Sequence, residues 1–263
     1  MNKYGVISVS YVREITAWQG GYTWPEMMEM YRKDWSLERL NNRLAKIKSL
    51  GIDYIELYKG DAGFEEWGDE APQQIKDLHV QNGLVLWAYC VGGLNRDADF
   101  ERHFQFADKL GVSLVTGTLG REPELVDKLA DYCHTYHKQY AIEPHGKDTT
   151  LADPREILAA IERHPDVLGA CPDMGWFARE GYNPEEAVDM LKECSMHTHF
   201  KDFSYEAKKS CAPGDGDVDM RRVVGSLLSA GYDGVWSIEW EAPHDPSEDL
   251  RRARNYIASL LGD

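Results

Sequence analysis

Short β-branched runs alternate with longer helical runs eight times along this chain, which predicts an α/β protein whose parallel sheet closes into a single (β/α)8 barrel. Two further observations support that class. The length of 263 residues suits one such barrel, and 43% hydrophobic residues can fill its core. The rival architecture is a doubly wound open sheet, whose G-x-G-x-x-G signature after the first run is missing. The nearest piece, Gly214-Asp215-Gly216, is loaded with acid and would repel a pyrophosphate. No linker or composition shift divides the chain, so residues 1–263 are expected to form one domain.

The elements follow in order. Tyr4–Tyr11 is the first strand. Ser36 caps a helix whose apolar positions Leu37, Leu40, Leu44, Ile47 and Leu50 step by three and four, and Gly51 ends it. Residues 52–58 (IDYIELY) form the second strand. A helix over Ala71–Gln81 stops at Asn82-Gly83, and residues 84–90 (LVLWAYC) form the third strand. Asp99–Leu110 is helical, Ser113–Thr118 a strand and Glu122–His137 a helix. Gln139–Glu143 is the fifth strand, followed by a helix that Asp153 caps with Pro154 at its first position. Strands over Val167–Pro172, Met196–Lys201 and Gly234–Glu239 then alternate with helices over Pro184–Cys194, Asp219–Ala230 and Ser247–Leu261. The irregular stretches Thr16–Trp35, the residues after Tyr58, and Asp202–Asp217 all follow strands. In a barrel they lie over the catalytic mouth.

Formal net charge is −16, from 29 basic and 45 acidic residues. That argues against nucleic acid as a partner, since phosphate backbones demand Lys and Arg clusters, and it weighs against a highly phosphorylated substrate. Five scattered cysteines, odd in number and without C-x-x-C spacing, are neither a disulfide framework nor a zinc knuckle. Neither a signal peptide nor a membrane span is visible, so a cytoplasmic setting is expected, with no membrane partner. Trp18, Trp24 and Trp35 in the first long loop read as packing, a lid, or the contact of a homodimer or homotetramer.

The chemistry concentrates at four strand ends. Strand alternation puts Ala141, Glu143 and His145 on one face, Cys171 and Asp173 on another, then Ser195, His197 and His199, then Val235, Ser237 and Glu239. Each carboxylate or imidazole stands at the C-terminal end of its strand, where a barrel carries chemistry. Two Glu, one Asp and one His suit a divalent cation. Oxygen-rich ligation points first to Mn²⁺ or Mg²⁺, with Co²⁺ or Zn²⁺ open to it through the histidine. Such an ion polarises a sugar carbonyl, and the two glutamates can move protons on and off carbon. No other cofactor is implied.

Each residue also has a bland reading. Asp173 can cap a turn after Pro172, and His199 alone reads as a core histidine. Joint placement on inward faces of consecutive strands favours the site. His197 reads as packing or support, Lys201 as a substrate contact or half of an ion pair, and Glu56 as a substrate or loop contact. Trp87 reads as barrel filling, Arg121 and Arg179 as anion contacts or surface charge, and residues 65–70 as a solvated acidic run.

At these residues the chain resembles the xylose isomerase-like TIM barrels, in particular the sugar phosphate isomerase/epimerase family with its ketose 3-epimerases, inosose isomerases and dehydratases. The resemblance spans nearly the whole chain through GIDYIEL, I-E-P-H, P-D-x-G, H-x-H-x-K-D and GYDGVWSIEWE. It implies metal ligation by Glu143, Asp173, His199 and Glu239, with Glu143 and Glu239 as the acid/base pair. It implies a sugar or keto-sugar substrate. Two positions depart from the ketose 3-epimerases: Trp176 stands where they carry a substrate-contacting histidine, and Tyr205 where they carry an arginine. Aromatic surface there suits a sugar ring or an aglycone. Relatives that eliminate an aglycone from 3-keto-glycosides make His145 a candidate base for a lyase reaction.

Overall fold

The computed structural model describes residues 2–17, 19–64 and 68–263. Trp18 and the start of the acidic run at Glu65 and Glu66 lie outside the described residues. Eight parallel strands curl into the barrel: β1 (Lys3–Ile7), β2 (Tyr54–Tyr58), β3 (Val85–Leu94), β4 (Leu114–Leu119), β5 (Gln139–Ile142), β6 (Leu168–Ala170), β7 (His199–Phe200) and β10 (Val235–Ile238). Their order is β6-β5-β4-β3-β2-β1-β10-β7, and pairing of Ala170 with Ser195 and of Asp173 with His199 joins the two ends. The closing bonds run from the Met196 amide to the Ala170 carbonyl and from the His199 amide to the Pro172 carbonyl, each 2.9 Å.

The outer helices are α1 (Trp24–Lys33), α2 (Leu37–Ser49), α3 (Ala71–Gln81), α4 (Phe100–Leu110), α5 (Pro123–Tyr136), α6 (Pro154–Arg163), α7 (Met174–Glu180), α8 (Pro184–Leu191), α9 (Met220–Ser229) and α10 (Ser247–Leu261). Their starts are chemically marked. Ser36 accepts a bond from the Arg39 amide at 3.2 Å, Asp99 from Arg102 at 3.0 Å and Asp153 from Arg155 at 2.8 Å. Leu44 and Ile47 of α2, Phe104 of α4 and Ile157 of α6 are fully buried against Ile55, Val115 and Ile142 of the sheet's outer face in one continuous core. Burying each such side chain contributes roughly 1.5–3 kcal/mol. A small cluster of Ala88, Leu114, Ala141 and Cys171 fills the barrel beneath the site, with Trp87 against it, which fits the barrel-filling reading of that tryptophan. Among the described residues no helix is long and apolar enough to cross a membrane.

Three expectations are corrected. The first strand stops at Ile7, and Ser8–Thr16 winds into a 3-10 helix. The Ser8 hydroxyl accepts from the Tyr58 amide at 2.9 Å and the Ser10 hydroxyl from the Trp240 amide at 3.1 Å, turning the chain across the barrel top. The stretch Thr16–Trp35 contains α1, whose Thr23 and Glu26 form a capping box. Only Met27 and Tyr31 of α1 are buried, so its apolar stripe is too narrow to announce a helix. The stretch Asp202–Asp217 holds an antiparallel hairpin of β8 (Asp202–Ser204) and β9 (Lys209–Cys211).

That hairpin loop is tied down by one carboxylate. Asp202 accepts backbone bonds from Phe203 (2.8 Å), Gly214 (3.0 Å), Gly216 (3.1 Å) and Val218 (3.2 Å). A Cβ on Gly216 would sit 2.2 Å from the Asp202 carboxylate, so only glycine lets the loop close around it. The Gly214-Asp215-Gly216 piece is therefore a cradle for an internal acid.

Candidate metal centre

The ends of β5, β6, β7 and β10 bring Glu143, Asp173, His199 and Glu239 together, all buried, with one ligand atom from each lying within 4.8 Å of the others. The His199 ring sets the geometry. Its Nε2 lies 2.6 Å from a Glu56 oxygen, and that same oxygen lies 2.9 Å from His197 Nε2. An ionised carboxylate can only accept, and Glu56 takes the Thr116 hydroxyl on its other oxygen, so Nε2 of His199 carries the hydrogen and Nδ1 presents its lone pair. Nδ1 stands 3.0 Å from Glu239 Oε2 and 3.3 Å from Glu143 Oε1. A lone pair facing two carboxylates calls for a cation between them, either a proton or a metal.

The other polar atoms repeat the demand. Asp173 Oδ2, His199 Nδ1 and Glu239 Oε2 are fully buried and have no hydrogen-bond partner. Unpaired buried atoms of this kind are costly. Three from three different strand ends, converging with Glu143, form a donor set that fits a divalent cation. Asp173 serves both of its readings: Oδ1 caps α7 by accepting from the Trp176 amide at 2.8 Å, and Oδ2 faces the site.

Lys201 supplies the fixed positive charge. Its ammonium donates to Glu239 Oε1 at 2.8 Å and lies 3.4 Å from Asp173 Oδ2 and 3.5 Å from Glu241 Oε2. A Cβ on Gly175 would lie 2.6 Å from Lys201 Cγ, so the glycine of P-D-M-G-W opens the path for this stem. Charges are strongly perturbed here. Burial opposes ionisation of Glu239, yet Lys201 and His199 outweigh it and hold the carboxyl well below its usual range. Burial raises Asp173 far above that range and raises Glu143 and Glu241 as well. Burial also opposes the Glu56 charge, but His199 and His197 overcome it.

Above these groups opens a cavity of about 880 Å³ lined by Glu143, His145, Trp176, Glu239, Trp240 and Glu241, among others. The His145 ring packs against Trp176 with centroids 3.5 Å apart and the planes tilted by 38°, and burial followed by the Lys201 charge pulls its imidazole down to about 4. Glu56 and His197 are buried beside the cluster and do not line the cavity, and Glu56 joins the His197 and His199 rings through one oxygen. Tyr205 is 49% exposed on the hairpin, edge-on to Phe203, and is not brought to the cavity wall. Arg121 pairs with Glu156 outside the cavity, whereas Arg179 lines it over the Trp176 ring. Trp24 lines the cavity; Trp35 lies against Gly63 and donates to the Asp61 carbonyl at 2.8 Å.

Several wall residues escaped the sequence reading: Arg13, Lys59, Lys208, Lys209, Cys90 and Glu241. Glu241 was within reach, because it follows Glu239 by two and shares its side of the chain. The cations gave no periodic signal, since they stand on turns, on a 3-10 helix and on a three-residue strand.

A family profile described as Xylose isomerase-like TIM barrel matches residues 44–260. An inosose dehydratase from Bacillus licheniformis is 24% identical over 222 residues, which make up 70% of this chain and 66% of that protein. The crystal structure of D-psicose 3-epimerase in the presence of D-fructose superposes with a TM-score of 0.73 at 16% identity, over 99% of this chain and 100% of the other. The IOLI protein with a bound zinc atom superposes with a TM-score of 0.72 at 16% identity, over 99% of this chain and 98% of the other.

Proposed function

Because the chain belongs to the xylose isomerase-like TIM barrel family, we propose that it is a divalent-metal-dependent isomerase or epimerase acting through an enediolate on a ketose, keto-sugar or inosose. The observation that carries this reading is the convergence of the unpartnered Asp173 Oδ2, His199 Nδ1 and Glu239 Oε2 on one point beside Glu143. A divalent cation held there would supply Lewis acidity to a carbonyl oxygen. The oxygen-rich donor set favours Mn²⁺ or Mg²⁺, and the zinc named for the IOLI structure keeps Zn²⁺ in the panel to be tested.

The chain's own groups do the rest. Glu143 and Glu239 both line the cavity and are the carboxylates placed to take a proton from carbon and return one. Lys201 holds the Glu239 carboxylate oriented, and Glu56 fixes the tautomer of His199. Trp176 and Trp240 supply flat apolar wall for a sugar ring. We take residues 1–263 as one cytoplasmic domain performing this reaction.

One observation favours a second reading, a lyase acting next to the carbonyl of a 3-keto-glycoside or inosose. His145 reaches the cavity wall, and among the described residues its ring nitrogens make no hydrogen bond, leaving a base free for elimination. The test is metal analysis of the purified protein, followed by ketoses, inososes and 3-keto-glucosides in D₂O watched by NMR. Deuterium incorporation at a carbon next to the carbonyl, abolished by EDTA, supports the isomerase. Release of water or an aglycone supports the lyase. A protein that holds no divalent metal and is indifferent to EDTA overturns both.

A further inference from the structure

The cavity is electrically two-sided. Its buried end carries Glu143, Glu239 and Glu241, and its outer wall carries Arg13, Lys59, Arg179, Lys208 and Lys209. These five cations come from four different places around the mouth: the 3-10 helix after β1, the turn after β2, α7, and the β8–β9 hairpin. None has a carboxylate within 4.0 Å among the described residues, whereas Arg163, Arg222 and Arg252 on the outer helices are each paired. Lys59 is aimed by its surroundings, its stem lying across Gly92 with Cε 3.4 Å from where a Cβ would stand on the cavity wall. Arg179 is held over the Trp176 ring at 4.8 Å. The β8–β9 hairpin that carries Lys208 and Lys209 is anchored by the four backbone bonds of Asp202.

We propose that this rim reads an oxyanion on the substrate, a carboxylate or a phosphate, at the end remote from the carbon that exchanges its proton. The inference rests on the reading of the buried end as a sugar-transforming metal centre and narrows its substrate class to acidic keto-sugars. A small anion entering a cationic mouth is drawn in and oriented with its neutral polyol end toward the carboxylates. The overall charge of −16 does not oppose this, because the field inside a cleft follows the groups lining it.

The test uses three matched probes, D-fructose, D-fructose 6-phosphate and 2-keto-D-gluconate, titrated calorimetrically into the metal-loaded protein at low and high ionic strength. The expected result is binding at least about tenfold tighter for one of the anionic probes than for fructose, weakening with salt. The phosphate and carboxylate arms tell which oxyanion is read. The preference is expected to vanish in K208S/K209S and in R13S/K59S, and to survive in K76S/K128S, which removes the same charge from the outer helices α3 and α5. Equal binding of all three probes, or a preference lost equally in K76S/K128S, overturns the proposal. Deuterium exchange is followed in the same samples. Exchange of fructose with no anion preference sinks the rim and leaves the metal centre. An anion preference with no exchange on any probe sinks the isomerase reading and leaves the rim.

Discussion

The buried end of the cavity gathers Glu143, Asp173, His199 and Glu239 from the ends of β5, β6, β7 and β10, whereas its rim draws Arg13, Lys59, Lys208 and Lys209 from the loops that follow β1, β2 and β7. The two regions differ in how side-chain direction is fixed. At the buried end the sheet does it: each residue occupies a defined phase of a strand, and the inter-strand bonds leave it no alternative. At the rim, single tethers do it, such as the Asp202 carboxylate under the hairpin and the Ser8 and Ser10 hydroxyls under the first turn. They differ in charge as well. The buried end has more carboxylates than Lys201 can balance and so calls for a cation, while the rim has cations with no carboxylate within 4.0 Å among the described residues. A substrate with a neutral reacting end and an anionic tail answers both.

The comparison breaks first at Glu239. E239Q keeps the shape of the side chain and removes its charge. Solvent hydrogen exchange on substrate is expected to fall by about 10²–10⁴-fold, with the fold retained by circular dichroism. Wild-type exchange in that variant would remove Glu239 from the acid/base pair. E56Q comes next. It withdraws the carboxylate that fixes the His199 tautomer without touching the cavity, and divalent-metal affinity is expected to drop by about 10–100-fold in calorimetric titration. Unchanged affinity would mean that the ring orients itself.

The rim has its own variant. D202A leaves four backbone amides without their acceptor, so exchange of the Phe203, Gly214, Gly216 and Val218 amides is expected to speed up by roughly tenfold or more. The anion preference should weaken with it, and metal affinity should stay within about threefold of wild type, since none of the four ligands bonds to Asp202. Protection that persists in D202A would show that the hairpin is held by something other than this carboxylate.

The same contrast explains what could be read from the sequence. The barrel was legible because eight β–α alternations carry two periods, and because Ser36, Asp99 and Asp153 mark helix starts chemically. The four strand-end residues were legible because period two assigns each of them a face. Glu56 was noticed as a charge in a buried strand, but its bond to two imidazoles more than 140 positions away was not, since no local pattern encodes a contact across the barrel. Tyr205 was assigned to the site by its offset from His199, and the hairpin turns it outward to 49% exposure, because an offset counted through a loop carries no direction. α1 was missed although its capping box was in plain view, since Thr23 and Glu26 are followed by an apolar stripe of only two buried residues. The rim lysines were invisible for the plainest reason: a lysine in a turn looks the same whether it faces solvent or a cavity.

The smallest effect separates the site from the scaffold that holds it. His79 in α3 and His103 in α4 are buried away from the four ligands. Burial pulls the His79 imidazole down to about 4; burial, then Lys59 and Arg102, pull His103 down to about 3. His79 Nδ1 bonds the Ile75 carbonyl at 2.7 Å, and the His103 ring stacks on Phe64 at 3.8 Å, beside the β2 turn that carries Lys59. Both rings are neutral in the folded chain and charge freely in the unfolded one. Between the ordinary histidine value of 6.5 and these lowered values the unfolded state therefore binds more protons. Stability is expected to fall as pH drops through that window, by up to about 1.4 kcal/mol per pH unit for each histidine. H79Q should remove one such slope, read as the pH dependence of the difference in unfolding free energy between wild type and variant in urea. A difference that stays flat from neutral pH to pH 4.5 would mean that His79 is protonated in the native state. The acid sensitivity of the fold would then have to come from the carboxylates around the metal centre, and the site and its scaffold could no longer be treated as separate.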